Sequence, residues 1–152
     1  MSAEARLAAL GIELPAPLTP AGSYVQAVRT GNLVFLAGHG PIAADGKIVT
    51  GKVGADIDLA GARDAARTTA IALLASLRAE LGSLDRVRRV VKVLGMVNGA
   101  PGFTQFPPVI DGCSDLLVEV FGDAGRHARS AVGMAELPFG IPVEIEMVVE
   151  VD

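Results

Sequence analysis

The run Val143-Glu144-Ile145-Glu146-Met147-Val148-Val149-Glu150-Val151 decides the fold. In an extended chain, successive side chains point to opposite faces. Val143, Ile145, Met147, Val149 and Val151 therefore share one apolar face, and Glu144, Glu146, Val148 and Glu150 share the other. The segment upstream, 138–142, carries Pro138, Gly140 and Pro142 and is expected to turn. Before it, 129–134 is expected to be another strand. The same period assigns Ser130, Val132 and Met134 to its apolar face, and puts Arg129, Ala131 and Gly133 on the face of the acids. Arg129 and Glu144 are then expected as near neighbours on a sheet face whose other residues are small enough to admit a ligand. The chemistry suits such a pair: a guanidinium fork holds a carboxylate through two hydrogen bonds, and a glutamate orients or deprotonates water. The plain alternative is a cross-strand ion pair worth about 0.2–1 kcal/mol.

Working outward, 58–81 is the clearest helix. Leu59, Ala62, Ala66, Ala70, Leu73, Leu74, Leu77 and Leu81 recur at steps of three and four, with Asp58 as N-cap and Gly82 as C-terminal stop. The stretch 87–97 is expected as a long strand, 99–108 as a Gly/Pro/Phe-rich loop, and 109–120 as a second helix broken by 122–125. Toward the N-terminus, 24–29 and 33–37 are β-prone runs around Thr30-Gly31-Asn32, a hairpin turn. A short run at 47–49 follows Asp45-Gly46. Residues 3–10 favour a short helix, and Pro15, Pro17 and Pro20 keep 14–22 extended. The order β-β-β-α-β-α-β-β predicts one α+β domain over 1–152, with 1–20 as an N-terminal arm and two helices on one face of a mixed sheet.

The composition narrows the function. The net charge is −4 and the pI about 5.1, with Arg86, Arg88, Arg89 and Lys92 as the densest basic cluster and no aromatic residues between them. That is a poor footprint for nucleic acid, which needs clustered cations and stacking rings. No stretch has the length and apolarity of a membrane span or a leader, so the expected location is the cytoplasm. Apolar residues and glycine together reach about 62% of the chain, against roughly 45–50% in typical domains. That excess, with a second sheet face left bare, predicts contacts between copies.

Other residues have plainer assignments. The one cysteine, Cys113, precludes an internal disulfide and is expected to be a buried small hydrophobe. His39 lies in a Gly-rich turn and is expected at the surface, although a general base could sit there. His127 precedes Arg129 by two and is expected to face solvent. Asp56 and Asp58 suit capping better than cation binding. Phe103, Phe106 and Phe121 suit the core, and Gly38-His39-Gly40 is too short for a phosphate loop.

Two separated segments resemble the Rid family, also called the YjgF family. One is Gly22-Ser23-Tyr24-Val25-Gln26-Ala27-Val28 with Leu33-Val34-Phe35-Leu36-Ala37-Gly38. The other runs from Arg129-Ser130-Ala131-Val132 through Ala135-Glu136-Leu137-Pro138 to Val143-Glu144-Ile145-Glu146. The N-terminal arm and the loop around 103–108 resemble a longer-chain subgroup. The resemblance implies a chorismate-mutase-like fold and a homotrimer whose sheets form an inner barrel, with ligand sites between subunits. It implies hydrolysis of reactive enamines and imines, such as 2-aminoacrylate, to 2-keto acids and ammonia. Arg129 would clamp the substrate carboxylate and Glu144 would position water. Tyr24 would line the site, Gly38 would offer a backbone contact, and Asp111 and Ala131 would complete the lining. No metal or organic cofactor is implied. Two positions depart from the family pattern: Asp111 stands where asparagine is usual, and Ala131 where cysteine is frequent.

The leading expectation is an enamine/imine deaminase acting on small carboxylates, with neither nucleic acid nor membrane as partner. A non-catalytic module that binds a small carboxylate or metabolite is the alternative, favoured by Asp111 and Ala131. An endoribonuclease ranks third, against the acidic pI and the missing aromatic platform.

Overall fold

A computed structural model describes residues 1–43 and 45–152. Among the described residues five strands form one sheet: β1 (Ala27–Thr30), β2 (Leu33–His39), β3 (Val87–Asn98), β4 (Ala128–Met134) and β5 (Val143–Val151). The helices are α1 (Ala3–Ala9), α2 (Leu59–Leu81) and α3 (Phe106–Phe121). The strand order is β1-β2-β5-β3-β4, antiparallel except for the parallel pair β3 and β4. Parallel neighbours need a crossover, and α3 supplies it. The expected mixed α+β sheet is thus observed, and β5 lies at its centre.

Local chemistry explains the elements. The β1–β2 hairpin closes through Gly31 and Asn32, with Gly31 at φ 60° in the first central position, as a type II′ turn requires. Asp58 caps α2 by accepting from the Gly61 N–H at 2.8 Å, and Gly82 ends it at φ 81°. Glu4 fastens α1 by accepting from the Leu84 N–H at 3.0 Å and from Arg78 at 3.3 Å, and Leu7 enters the core.

Both long helices cover one face of the sheet. Leu73, Leu74 and Leu77 of α2 and Ile110, Leu116 and Leu117 of α3 are buried with Val34, Val93, Ile145 and Met147. The two helices approach to backbone contact, because a Cβ at Gly112 would lie 2.0 Å from the Arg63 carbonyl oxygen. Gly95 likewise makes room for Ile110 of α3. The opposite face carries no helix among the described residues. There Val28 and Phe35, paired across β1 and β2, remain 53% and 46% exposed.

Three expectations need correction. Among the described residues the run at 47–49 joins no sheet; Ile48 forms an isolated bridge with Ile42. The second long helix begins at Phe106 rather than 109, because Pro107 and Pro108 sit in its first turn, where no intrahelical N–H bond is lost. The first strand begins at Ala27, and Tyr24 and Val25 lie outside it, exposed.

Candidate functional site

Glu144 is brought to the sheet surface by the alternation of β5, in register with Met96 of β3. Beside it, β2 carries an irregularity between Leu36 and His39, where three steps of β2 face two of β5. Such a bulge re-aims the side chains around it. Gly38 lies in the bulge, and a Cβ there would stand 2.6 Å from Glu144 Oε2. Glycine therefore lets the carboxylate lie against the β2 backbone. Burial holds the Glu144 carboxyl above the usual range, with repulsion from Glu146 adding to it. Tyr24 stands at the same place, its hydroxyl accepting from the Ala21 N–H at 3.3 Å.

Tyr24, Gly38 and Glu144 line an open cleft of about 540 Å³, together with Lys92, Leu94 and Glu146. They also line a second, more apolar cleft of about 480 Å³, which adds Gln26, Ile48 and Phe139. Gln26 Oε1 is buried without a hydrogen-bond partner among the described residues. Phe139 adopts φ 60°, a left-handed conformation uncommon for a bulky residue, at the mouth of this cleft.

Arg129 lies elsewhere. It pairs with Val93, which pairs with Met147, so its side chain emerges on the helix-covered face. Glu144 belongs to the row Glu144–Met96–Val132 on the opposite face. The expected neighbourhood of Arg129 and Glu144 is thus overturned within one chain. They lie on opposite faces with β3 between them, their backbones roughly 14 Å apart from strand spacing and rise. The phase error arose because β5 and β4 are not paired directly. Each takes its facing from β3, whose register sets Arg129 with Met147.

On its own face Arg129 meets α3. Nη1 donates to Asp111 Oδ1 at 2.7 Å and to Ser114 Oγ at 3.1 Å, and Nη2 donates to the Pro107 carbonyl at 3.4 Å. The guanidinium side chain is 21% exposed and Asp111 is 42% exposed, at the β4 edge of the sheet. Ala131 lies in register with Gly95 and packs against the core, lining neither cleft.

His127 is not simply solvent-facing. Nδ1 lies 2.7 Å from the Gly125 carbonyl and Nε2 2.9 Å from Ser114 Oγ. A carbonyl only accepts, so Nδ1 carries the proton and the Ser114 hydroxyl donates to Nε2. Burial lowers the His127 pKa; the Gly125 hydrogen bond opposes the shift and nearby Arg129 adds to it. A continuous chain of hydrogen bonds thus runs from Gly125 through His127 and Ser114 to Arg129.

His39 also departs from expectation: it is 2% exposed, not at the surface. Nδ1 donates to the Ala37 carbonyl at 2.6 Å, and Nε2 accepts from buried Ser76 Oγ at 2.8 Å. Burial lowers its pKa, and with both nitrogens engaged it braces the bulge. Cys113 is buried as expected, its thiol pushed up to about 12 by burial, so it is no nucleophile at neutral pH. Among the described residues no cluster of histidine, cysteine and acids could hold a metal ion, and no helix is long and apolar enough to cross a membrane.

Sequence reasoning missed Ser114, Lys92 and the Pro107 carbonyl. Ser114 was findable, since it stands three residues after Asp111 and shares its side of a helix. Lys92 follows the bulge that breaks the β3 register, so simple alternation did not place it.

A family model described as "YjgF/chorismate mutase-like, putative endoribonuclease" matches residues 4–147. Protein TCP17 of Trypanosoma cruzi is 44% identical over 97% of this chain and 93% of its own length. The 2-iminobutanoate/2-iminopropanoate deaminase of Dermatophagoides farinae is 33% identical, over 93% of this chain and 95% of its own. The crystal structure of protein Atu1372 from Agrobacterium tumefaciens superposes with a TM-score of 0.89 at 45% identity, covering 99% of this chain and 92% of that one.

Proposed function

The chain belongs to the YjgF (Rid) family, and from that premise we propose that it hydrolyses reactive enamines and imines to 2-keto acids and ammonia, at sites completed between copies of itself. The observation that carries this reading is the division of the candidate residues. Tyr24, Gly38 and Glu144 form an acid-lined half-site in one cleft, and the Arg129 guanidinium, paired with Asp111, forms the other half-site at the β4 edge. Neither half is sufficient for the chemistry, and one chain cannot bring them together. A second copy that docks its β4 edge over the Tyr24 cleft joins them. The uncovered row of Val28, Phe35 and Val148 supports association, since an apolar row of this kind is stabilised by removal from water. A homotrimer with the bare faces turned inward is the assembly the reading takes.

The reaction needs little machinery. The imine carbon is already electrophilic, and its protonated form more so. Water adds to that carbon, the carbon–nitrogen double bond shifts to nitrogen, and the resulting carbinolamine expels ammonia to leave the carbonyl. Arg129 holds the substrate carboxylate, and Glu144, as carboxylate, accepts a hydrogen bond from the water and directs it at the carbon. The printed name of the Dermatophagoides farinae relative supports this substrate class. The endoribonuclease of the family description is not carried over: Glu144 and Glu146 outnumber Lys92 in the cleft and disfavour a phosphate backbone. The Arg129–Asp111 pair favours one second reading, a metabolite-binding module without turnover, because the guanidinium is already partly engaged.

Complementation tests the shared site. Arg129→Ala and Glu144→Gln chains, each nearly inactive alone on an imine generated in situ, are expected to recover a substantial part of wild-type turnover when co-expressed in mixed assemblies. Mixed assemblies as inactive as either parent would refute a site built from two copies.

A further inference from the structure

We propose that His127 is a positioning residue for Arg129 that acts through Ser114: it takes the Ser114 hydroxyl hydrogen, turns the oxygen's lone pairs to the guanidinium, and so fixes the edge that grips the substrate carboxylate. The inference rests on the reading of Arg129 as a carboxylate clamp and names the two residues that hold the clamp from behind.

The guanidinium is anchored on one side. Nη1 donates to Asp111 Oδ1 at 2.7 Å and to Ser114 Oγ at 3.1 Å, and Nη2 reaches the Pro107 carbonyl at 3.4 Å. Pro107, Asp111 and Ser114 follow one another along α3 at steps of four and three, hence on one side of the helix. Among the described residues nothing accepts from Nε. The edge formed by Nε and Nη2 is the fork that takes a carboxylate through two parallel hydrogen bonds. Where that edge points depends on what holds Nη1.

Ser114 accepts from Nη1 only while its own hydrogen is directed elsewhere. A serine hydroxyl has one hydrogen and two lone pairs, and within a helix the hydrogen ordinarily turns back to the carbonyl four residues earlier, here that of Ile110. His127 offers the competing acceptor, with Nε2 2.9 Å from Oγ. Its other nitrogen, Nδ1, donates to the Gly125 carbonyl at 2.7 Å, which fixes the tautomer. Burial keeps the ring neutral at pH 7, so Nε2 presents a bare lone pair. The anchor is itself immobile: Gly125 is buried against α3, where a Cβ would lie 2.2 Å from the Leu117 carbonyl oxygen. The imidazole is thus fixed to the same helix that carries Asp111 and Ser114. Without it the Ser114 hydroxyl is free to turn to Ile110, and Nη1 loses one of its two acceptors.

A double-mutant cycle on the assembled protein tests this, read by calorimetric binding of pyruvate as a stable carboxylate probe. His127→Phe keeps the ring and removes both nitrogens, and Ser114→Ala removes the hydroxyl. Each is expected to weaken pyruvate about fivefold to tenfold. The double variant is expected to be no weaker than Ser114→Ala within about twofold, because His127 acts only through Ser114. His127→Gln, which restores an acceptor amide oxygen, is expected to recover most of the affinity. With an imine generated in situ, KM should rise by the same factor and kcat should stay within about twofold, since a binding group has been loosened. A purely structural role would lower the melting temperature and leave KM unmoved. Losses that multiply in the double variant would overturn the inference, as would wild-type affinity in a folded His127→Phe protein or a wild type that binds no pyruvate. Should His127→Phe not fold, Ser114→Ala decides alone: wild-type affinity in that folded variant overturns the inference. Failure of the deaminase reading looks different: the pyruvate affinities follow the cycle while no imine is turned over.

Discussion

Arg129→Ala is expected to lower kcat/KM for 2-imino acids by about 10²–10⁴-fold. Two charged hydrogen bonds to the substrate carboxylate are lost, at roughly 1.5–3 kcal/mol each. Folding should lose less, about 1–2 kcal/mol: the Arg129–Asp111 pair lies at a sheet edge with both members partly exposed, and the hydrogen bonds to Ser114 and the Pro107 carbonyl are lost with it. The check is steady-state kinetics beside a melting curve. A folded variant with a modestly lower melting temperature and a large kinetic loss is the expected combination. Turnover within a few-fold of wild type would remove Arg129 from the site.

Gly38→Ala is the second large effect, and it separates positioning from stability. The new Cβ would stand 2.6 Å from Glu144 Oε2 and 2.9 Å from its Cδ. Gly38 is not among the glycines with positive φ, so the backbone accepts alanine. The atom it meets ends a flexible side chain, so the carboxylate yields rather than the fold. Displacing the water-directing group by about an ångström is expected to cost roughly 10²-fold in turnover. The loss should fall on kcat more than on KM, because Glu144 acts on the attacking water rather than on binding. Stability should change by about 0.5 kcal/mol or less, as for other substitutions that bury no new polar group. A variant that unfolds instead, or one with unchanged kcat, would contradict the role given to the bulge.

The two variants probe the two halves of a site that the sequence showed unequally. Strand and helix identities were legible where hydrophobic period is strong, as in β5 and α2, and the cap residues Asp58 and Gly82 were legible with them. The start of α3 was not, because prolines read as a loop until their place in a first helical turn is known. The residue types of the candidate site were also legible. Their mutual placement was not, since alternation gives the facing of each strand only relative to its own phase. Which strand lies between β4 and β5, and in what register, is settled by long-range pairing with β3. The same pairing hides His39. A bulge turns it inward to Ser76, a contact 37 residues away that no local pattern announces.

The most direct test of the central claim is competition for an intermediate. An amino-acid oxidase or a pyridoxal-phosphate-dependent dehydratase generates imines and enamines in situ, semicarbazide traps what survives, and purified protein is added in increasing amounts. The account predicts that wild-type protein suppresses semicarbazone formation while keto acid and ammonia appear in equal amounts. Trapping undiminished across the whole panel of imines, by protein that still binds small carboxylates, would contradict it and leave a binding module in its place.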